Sequence, residues 1–489
     1  MPSSSAAAGP HTADVAQAAA EVDAGHVVAW VEEHLGGKVV AVERLARWRP
    51  SWRLDLERDG EIVPLYARGD RGPDFPAPFS LDHEQVVHQL LEAHGFPVPH
   101  TYGIVEGPIR SLVMDRVPGR QGLAFAADDE ERRSLLLRCV DWMVDMHGLD
   151  LAEVADRGLA VPTDELGIVM SGAISTIEKI YLSRHHQLDP AIEFFRGWLR
   201  RNLPEGRDRA AFVTWDSAQF LHQGGQITAL IDFELAHVGD PYMDLAPLRT
   251  RDSIEPLGDL RNAYDRFAAR TGAPIDTAVL RYFEISQLTA SMMLAYCTLT
   301  EPDPETDLVS HMTWYTDSTW YALDILGELH GATVETVPVP EPRRSPHAKA
   351  QQHLVTALRR AASRERPSNL VRFGIAGNGA APAADVGEDY TGWRNRCNYR
   401  LARHLLRVDQ IGPQLEADDL ADVGAFLGTT FADGVDANDA LLGAVAEAGP
   451  GDDLRFLELF GRRVQRTHMT LGPAGSLVVR HPPLQPLPA

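Results

Sequence analysis

The stretch Ala229-Leu230-Ile231-Asp232-Phe233-Glu234-Leu235-Ala236-His237-Val238-Gly239-Asp240-Pro241, followed by Asp244-Leu245-Ala246, decides how this chain is read. An apolar strand that ends on a carboxylate, Asp232, places that carboxylate at the open edge of a sheet, where a hard cation can meet its oxygens. Sixteen residues upstream, Thr214-Trp215-Asp216 sets a second carboxylate in an aromatic surrounding. Between them lies a hairpin, Phe220 to His222 turning through Gly224-Gly225 into Ile227 to Asp232. Two aspartates flanking a short hairpin suit magnesium-dependent phosphoryl transfer: one orients the attacking hydroxyl and the other holds the metal that bridges the phosphates.

Working outward, Val27 to Leu35 has helical spacing. Val39 to Leu45, Trp52 to Glu57 and, after an Asp59-Gly60 turn, Ile62 to Arg68 predict three strands of a small antiparallel sheet. Pro64 argues against a central place for the third, because proline gives the ladder no donor. A loop rich in Pro, Asp and Gly leads to a helix over Asp82 to His94, stopped by Gly95 with Pro97 and Pro99 beyond. Strands at Thr101 to Val105 and Ser111 to Asp115 run into Val117-Pro118-Gly119. From Glu130 onward, Leu135-Leu136-Leu137, Val140, Met143-Val144 and Met146 recur at helical spacing. Further helices are expected over Ile174 to Ser183, Pro190 to Asn202, Leu257 to Thr271, Thr277 to Thr300 and Thr313 to Leu329. Strands in one half and helices in the other predict two lobes with a cleft between them. Val337 to Pro346, with four prolines, is a linker. Helices over Ala348 to Ser363, Trp393 to Leu406, Ala417 to Leu427 and Asp452 to Arg466 form a separate appendage.

At 489 residues the chain exceeds one ordinary core, and 46 Lys+Arg against 69 Asp+Glu give a formal charge of -23. Such an excess of acid repels nucleic acid and anionic membrane surfaces, so neither is expected as a partner. Cys139, Cys297 and Cys397 lie too far apart for a zinc or disulfide framework. With no basic N-terminal leader and no run of eighteen apolar residues, a soluble cytoplasmic protein is expected, its residues 1–24 disordered.

The ordered set of a strand ending on Arg68, a helix with an early glutamate, Glu84, the segment Met114-Asp115-Arg116-Val117-Pro118-Gly119, Asp216 and the strand-end Asp232 resembles the aminoglycoside phosphotransferase-like family. Within this protein-kinase-like superfamily it most resembles the branch that also supplies the kinase portion of some acyl-CoA dehydrogenase fusions. The resemblance covers roughly residues 25–330. It implies an α+β, bilobal protein-kinase-like fold: an N-lobe and hinge over 25–119, a mainly helical C-lobe over 120–334, then the linker 335–346 and a helical C-terminal domain over 347–489. It also implies ATP and Mg²⁺ as cofactors and a small-molecule hydroxyl as acceptor.

Carried over by residue, the resemblance makes Asp232 the metal aspartate and Asp216 the group that accepts the substrate hydroxyl's proton. The family's usual His-Gly before that aspartate is replaced by Thr214 and Trp215. Its metal-binding asparagine five residues on is replaced by Gln219 only three residues on. Arg68 stands where a basic residue holds the first two phosphates, with Glu84 as its helix partner. Main-chain groups of Asp115 and Val117, beside Met114, stand where the adenine edge is read. The loop Ala46-Arg47-Trp48-Arg49-Pro50-Ser51-Trp52 has no glycine to close backbone amides on phosphates. Arg47 and Arg49 either replace that cradle by charge or are surface residues beside two half-buried tryptophans.

These departures leave a catalytically silent kinase-like scaffold open, as well as a kinase or dehydratase acting on a hydroxyacyl or terpenoid-like alcohol. The C-terminal domain is open between a lid, a homodimerisation arm and a partner-docking module. The glycine cluster Gly374 to Gly379 lacks strand-turn-helix context and reads as a loop. His185-His186 read as exposed, His147 as a packed or capping residue, and Trp314, Tyr315, Trp320 and Tyr321 most simply as core packing, with one wall of the acceptor pocket as the alternative.

Overall fold

The computed structural model describes residues 23–47, 49–72, 77–184, 188–362, 390–471 and 481–488. The N-terminal stretch expected to be disordered lies outside them up to residue 22, as do Trp48, His185-His186 and the glycine cluster.

Helix α1 (Gly25–Leu35) leads into strands β1 (Lys38–Arg44), β2 (Ser51–Arg58) and β3 (Glu61–Gly69). After helix α2 (Leu81–Ala93) come β4 (Thr101–Val105) and β5 (Ser111–Asp115). The five strands form one antiparallel sheet in the order β1-β2-β3-β5-β4. Period-two alternation sends Trp52, Leu54 and Leu56 of β2 inward, where they meet Val27 and Val31 of α1. Trp52 is fully buried, not half-buried as the sequence suggested.

Pro64 corrects a second expectation, since β3 is the central strand. The ladder to β5 begins one residue later, at Leu65–Asp115, and the Pro64 carbonyl accepts from the Arg116 amide where the chain leaves the sheet. The missing N–H therefore costs no bond of that ladder.

Val117-Pro118-Gly119 joins the lobes. Gly119 has φ +136, and a Cβ there would lie 2.7 Å from the Thr228 hydroxyl, so only glycine lets the connector pass the hairpin this closely. A short strand β6 (Arg120–Gln121) then pairs with the hairpin. Helix α3 (Asp129–Met146) buries Leu135, Leu136, Cys139, Val140, Met143 and Met146, the face its spacing predicted. It is followed by α4 (Gly172–Arg184), α5 (Pro190–Arg201), β7 (Ala211–Val213), β8 (Phe220–Gln223), β9 (Gln226–Leu230) and β10 (His237–Gly239). Next come α6 (Pro247–Ile254), α7 (Arg261–Thr271), α8 (Thr277–Thr300) and α9 (Leu308–His330). The helix expected from Leu257 starts four residues late, because Leu257 to Leu260 form a loop.

The C-terminal region is helical: α10 (Ala348–Ala362), α11 (Tyr390–Leu427), α12 (Gly434–Ala446) and α13 (Asp453–Leu471). Two helices expected over Trp393 to Leu406 and Ala417 to Leu427 are one, running through Pro413. Proline removes the bond to the Asp409 carbonyl, and the linker supplies the lost donor: Arg343 Nε reaches that oxygen at 2.7 Å, and the Arg343 amide donates to the Gln410 carbonyl at 2.9 Å. Sequence reading also missed α12, whose Asp433 cap accepts from the Val435 and Asp436 amides. Phe456 and Phe460 of α13 meet Phe194 of α5 with ring centroids 5.0 and 5.7 Å apart. α12, α13 and the end of α11 around Val423 thus join the core of the helical lobe, whereas Trp393 and Cys397 near the start of α11 pack on Ala46.

Candidate active site

The hairpin β8–β9 turns on Gly224-Gly225, whose φ values of 57° and 73° are those of a tight two-residue turn. Strands β7 and β10 pair beneath it, Phe212 opposite Val238. The two segments leaving this framework, 214–219 and 231–236, carry Asp216 and Asp232. The Ile231 amide donates to the Gln219 carbonyl at 3.1 Å, which ties the segments together.

The Asp216 segment is held by one buried carboxylate from further along the opening stretch. Asp244 Oδ1 accepts from the Thr214 amide (2.9 Å), the Thr214 hydroxyl (2.8 Å) and the Trp215 amide (2.8 Å), and its carbonyl accepts from the Ser217 hydroxyl. Its Oδ2 pairs with His147 Nε2 at 2.9 Å, so His147 is a packed residue at a helix end, as expected. The segment stores backbone strain: Trp215 and Ala218 have φ of 56° and 63°, and Asp232 has 71°. Left-handed non-glycine residues cost of order 1–3 kcal/mol each and persist only where surroundings over-determine them. At Trp215 the buried indole, edge-on to His237 at 5.6 Å, is part of that surrounding.

Asp216 itself forms an ion pair with Arg251 of α6 and accepts from Gln219 Nε2 at 2.8 Å. Burial works against the Arg251 charge, but the Asp216 carboxylate outweighs it and keeps the guanidinium protonated. Gln219 also donates to Asp232 Oδ2 at 3.2 Å, and its carbonyl oxygen accepts from Gln121 Nε2 of β6 at 2.6 Å. The shorter loop therefore does bring Gln219 to Asp232, with its amide N–H group facing the two aspartates.

Across the cleft three arginines meet three carboxylates. Arg68 Nε lies 3.2 Å from Glu84, so the expected partners are together, and Arg68 Nη2 contacts Asp232 and lies 2.9 Å from Glu234. Arg49 is buried, not a surface residue: it contacts Glu234, lies 3.4 Å from Glu84 and donates to the Gly69 carbonyl at 2.7 Å. Arg71 closes the group on Glu234. Burial and the neighbouring Arg68 push the Arg49 pKa down to about 10. Burial would raise the Asp232 carboxyl, but the Arg68 charge prevails and holds it well below the usual carboxylate range. Arg47 stays outside this group, donating to the Tyr66 hydroxyl at 2.9 Å.

Between the lobes, Leu45 and Tyr66 from the sheet, Met114 and Val117 from the hinge, and Leu221 and Ile231 from the hairpin line a cleft whose inner end is Arg68, Glu84 and Asp232. The Asp115 amide donates to the His100 carbonyl and its carboxylate accepts from the Tyr102 hydroxyl at 2.7 Å. Any main-chain contact from Asp115 to a ligand must therefore come from its carbonyl. The cleft's free volume of about 150 Å³ is narrow beside the roughly 300–1,000 Å³ of small-molecule sites. The arginine–carboxylate pairs that bridge the lobes keep it so.

Glu234, Arg71, Gln121 and Arg251 were missed by sequence reading. Glu234 had a signal, its place two residues after Asp232, and Arg71 sits three residues after Arg68. Gln121 and Arg251 had none, because only folding brings them to the aspartates.

As a metal site the donor set is sparse: among the described residues no group of three His, Cys, Asp or Glu side chains could hold an ion. Mg²⁺ does not require such a cage, since it is commonly bound by one or two carboxylates plus substrate phosphates and water. The Asp232 carboxylate fits. Gln219 fits once its amide turns over, which would aim its oxygen at the space between two carboxylates, a position favourable only with a cation there.

A two-lobed chain with a strand-end aspartate, an arginine–glutamate pair across the cleft and a second aspartate on a loop before the hairpin has the build of the kinase-like phosphotransferases. Residues 71–283 match the model of the phosphotransferase enzyme family. Acyl-CoA dehydrogenase family member 11 of Rattus norvegicus is 25% identical over 235 residues, 46% of this chain and 29% of that protein. The Homo sapiens protein of the same name is 25% identical over 247 residues, covering 46% and 30%. The chain thus spans about 30% of the length of the curated relatives it matches. Among solved structures, the apo form of a thermostable mutant of aminoglycoside phosphotransferase APH(4)-Ia is similar over 62% of this chain and 100% of that one, at 14% identity and a TM-score of 0.47. The macrolide 2'-phosphotransferase MphH from Brachybacterium faecium is similar over 60% and 97%, at 18% identity and a TM-score of 0.41. No helix among the described residues is long and apolar enough to cross a membrane.

Proposed function

We propose that this chain transfers the γ-phosphoryl group of ATP to a hydroxyl of a small molecule, with Mg²⁺. The observation that carries the reading is the convergence of Asp216 and Asp232 on one glutamine, at 2.8 and 3.2 Å, at the inner end of a cleft whose other wall is three arginines. Asp232, with Gln219, would hold the metal, whose chemistry is to neutralise charge on the phosphates. Asp216 would orient the acceptor hydroxyl and take its proton as the oxygen bonds to the γ-phosphorus and the bond to the β-phosphate oxygen breaks. Arg68, kept in place by Glu84, would hold the α- and β-phosphates, and Asp115 and Val117 would present main-chain groups to adenine.

Arg49 and Arg71 support the same reading, since they stand where a glycine-rich cover would otherwise bind phosphates. With three arginines already balanced by three carboxylates, binding is an exchange of partners. Phosphate oxygens would take the arginines, which would free Asp232 to hold the metal. The same exchange would separate the bridging pairs and widen the cleft enough for a nucleotide.

For the acceptor, the sequence shared with proteins named acyl-CoA dehydrogenase family member 11 supports a hydroxyl on an acyl or terpenoid-like molecule, phosphorylated so that it becomes a leaving group. The test is phosphorus NMR of the chain with MgATP and a panel of hydroxyacyl, terpenoid and aminoglycoside alcohols. A new phosphate-ester resonance, formed with ADP in equal amount, is expected for one class. The absence of both nucleotide binding and turnover would leave a silent scaffold as the better description.

A further inference from the structure

The last residues of the chain lie against the helix that supplies Arg251. His481 pairs with Asp324 at 2.6 Å and stacks on Trp320 with ring centroids 3.9 Å apart, and the Tyr321 hydroxyl donates to the Pro482 carbonyl at 3.1 Å. Leu484 and Leu487 pack on the core of the helical lobe. Gln485 is held by four hydrogen bonds. Its main-chain carbonyl accepts from Arg249 Nε at 2.8 Å, and its amide nitrogen donates to Asp252 Oδ2 at 2.7 Å and to the Gly258 carbonyl at 2.6 Å. Its side-chain oxygen accepts from the Leu260 amide at 3.2 Å.

Arg249 and Asp252 flank Arg251 on α6. Arg249 is fully buried and held besides by Glu284 of α8 at 2.9 Å and Glu328 of α9 at 2.6 Å, so one edge of α6 is fixed to the core. Gln485 completes that attachment and spans to the loop that follows the helix. From the same short helix Arg251 reaches the other way, to Asp216. A helix of eight residues has few internal bonds to set its own position, so outside contacts decide where Arg251 stands.

We propose that the C-terminal segment His481–Leu487 is a strap that positions α6, and that Gln485 is a positioning residue for the transfer site because it holds the two residues flanking the arginine paired with Asp216. The part concerning transfer rests on Asp216 acting as proposed above. The strap itself does not.

Hydrogen exchange on the full chain separates the two. With rising denaturant, the Leu260 amide, which donates to the Gln485 side chain, should open together with the amides of α6, at one free energy. In Gln485→Ala the 249–260 amides should exchange about tenfold faster, while those of β8 and β9 are unchanged. Independent opening of the Leu260 amide and α6 in the wild-type chain overturns the strap, whether or not the variant folds. With an acceptor in hand, Gln485→Ala should lower kcat about tenfold at unchanged KM for ATP, and should have no further effect in an Arg251→Gln background. Multiplying losses in the double variant would overturn the positioning role and leave the strap standing. Loss of exchange coupling would remove the strap even if transfer is confirmed.

Discussion

The two aspartates of the cleft are held in opposite ways. Asp232 sits at the end of a strand of the helical lobe and is met by Arg68 from the sheet of the other lobe, with Glu84, Arg49, Glu234 and Arg71 completing a balanced group. Asp216 is placed by its own lobe, on a strained segment whose amides and hydroxyl converge on buried Asp244, with Arg251 arriving from α6. The first arrangement is one of charge pairs across the cleft, which on the proposed function a polyphosphate and a cation would take over. The second cannot be taken over, because nothing from solvent can replace the bonds to Asp244. On that proposal one aspartate changes partners and the other stays where it is.

The largest effect expected is on the exchangeable side. Asp232→Ala should lower phosphoryl transfer by about a thousandfold or more in a chain that still folds, with a lowered melting temperature because Arg68 loses a buried partner, since charge stabilisation provides most of the rate in this chemistry. Steady-state kinetics beside a thermal melt checks both halves, and ATP turnover at the wild-type rate would remove Asp232 from the site. On the fixed side the cost should fall on stability. Asp244→Ala leaves two amides, a hydroxyl and His147 without their acceptor in the core, and denaturant unfolding should show a loss of roughly 3–5 kcal/mol. A loss below about 1 kcal/mol would mean that the loop does not depend on that carboxylate.

Acid and base should act on the two sides with opposite sign. Asp232 and Glu84 are buried, yet the arginines beside them hold both carboxyls low. They contribute stability that is present above the unfolded carboxylate range, about pH 4, and lost as pH falls below it. Glu284, which supports α6 through Arg249, is pushed up to about 7, by burial first and in spite of Arg249. Its contribution is full below about pH 4 and is lost as pH rises toward 7, amounting to roughly 3 kcal/mol at most. Glu284→Gln should therefore flatten the stability profile between about pH 4 and 7 and leave the acid limb in place, as equilibrium unfolding across that range would show. An unchanged slope would mean that Glu284 titrates normally.

The smallest effect should be a gain. Ala218→Gly removes a Cβ from a left-handed position at φ 63° and should stabilise by roughly 0.5–1 kcal/mol in a thermal melt. Destabilisation would show that the methyl's packing outweighs the backbone strain.

Much of this was legible beforehand because it is local. Alternation in β2, helical spacing in α3 and the Gly-Gly turn each depend on residues close in sequence, and the hairpin and its two aspartates were found that way. The failures share a cause. Pro64 was judged as if both sides of a central strand needed donors along their whole length, whereas β5 ends beside it. Two helices were expected where one runs through Pro413, because the Arg343 donor that meets the freed carbonyl lies in the linker, far away in sequence. Arg49 could not be assigned to surface or cleft until the sheet's twist and the helical lobe placed Glu84 and Glu234 around it.

By itself the sequence determined the kinds of element, their order and the presence of a phosphotransferase-like pair of aspartates, because propensity, turn chemistry and hydrophobic period are short-range. Only the tertiary structure decided which charges meet. It gave Asp232 three arginines' surroundings from the opposite lobe and placed Arg251 on Asp216. It also joined the C-terminal helices to the core of the lobe and brought Gln485 to the helix behind the site. The physical reason is range: an ion pair or a buried amide is indifferent to sequence separation and depends on a few ångströms of distance, and the packing of the whole chain sets those distances.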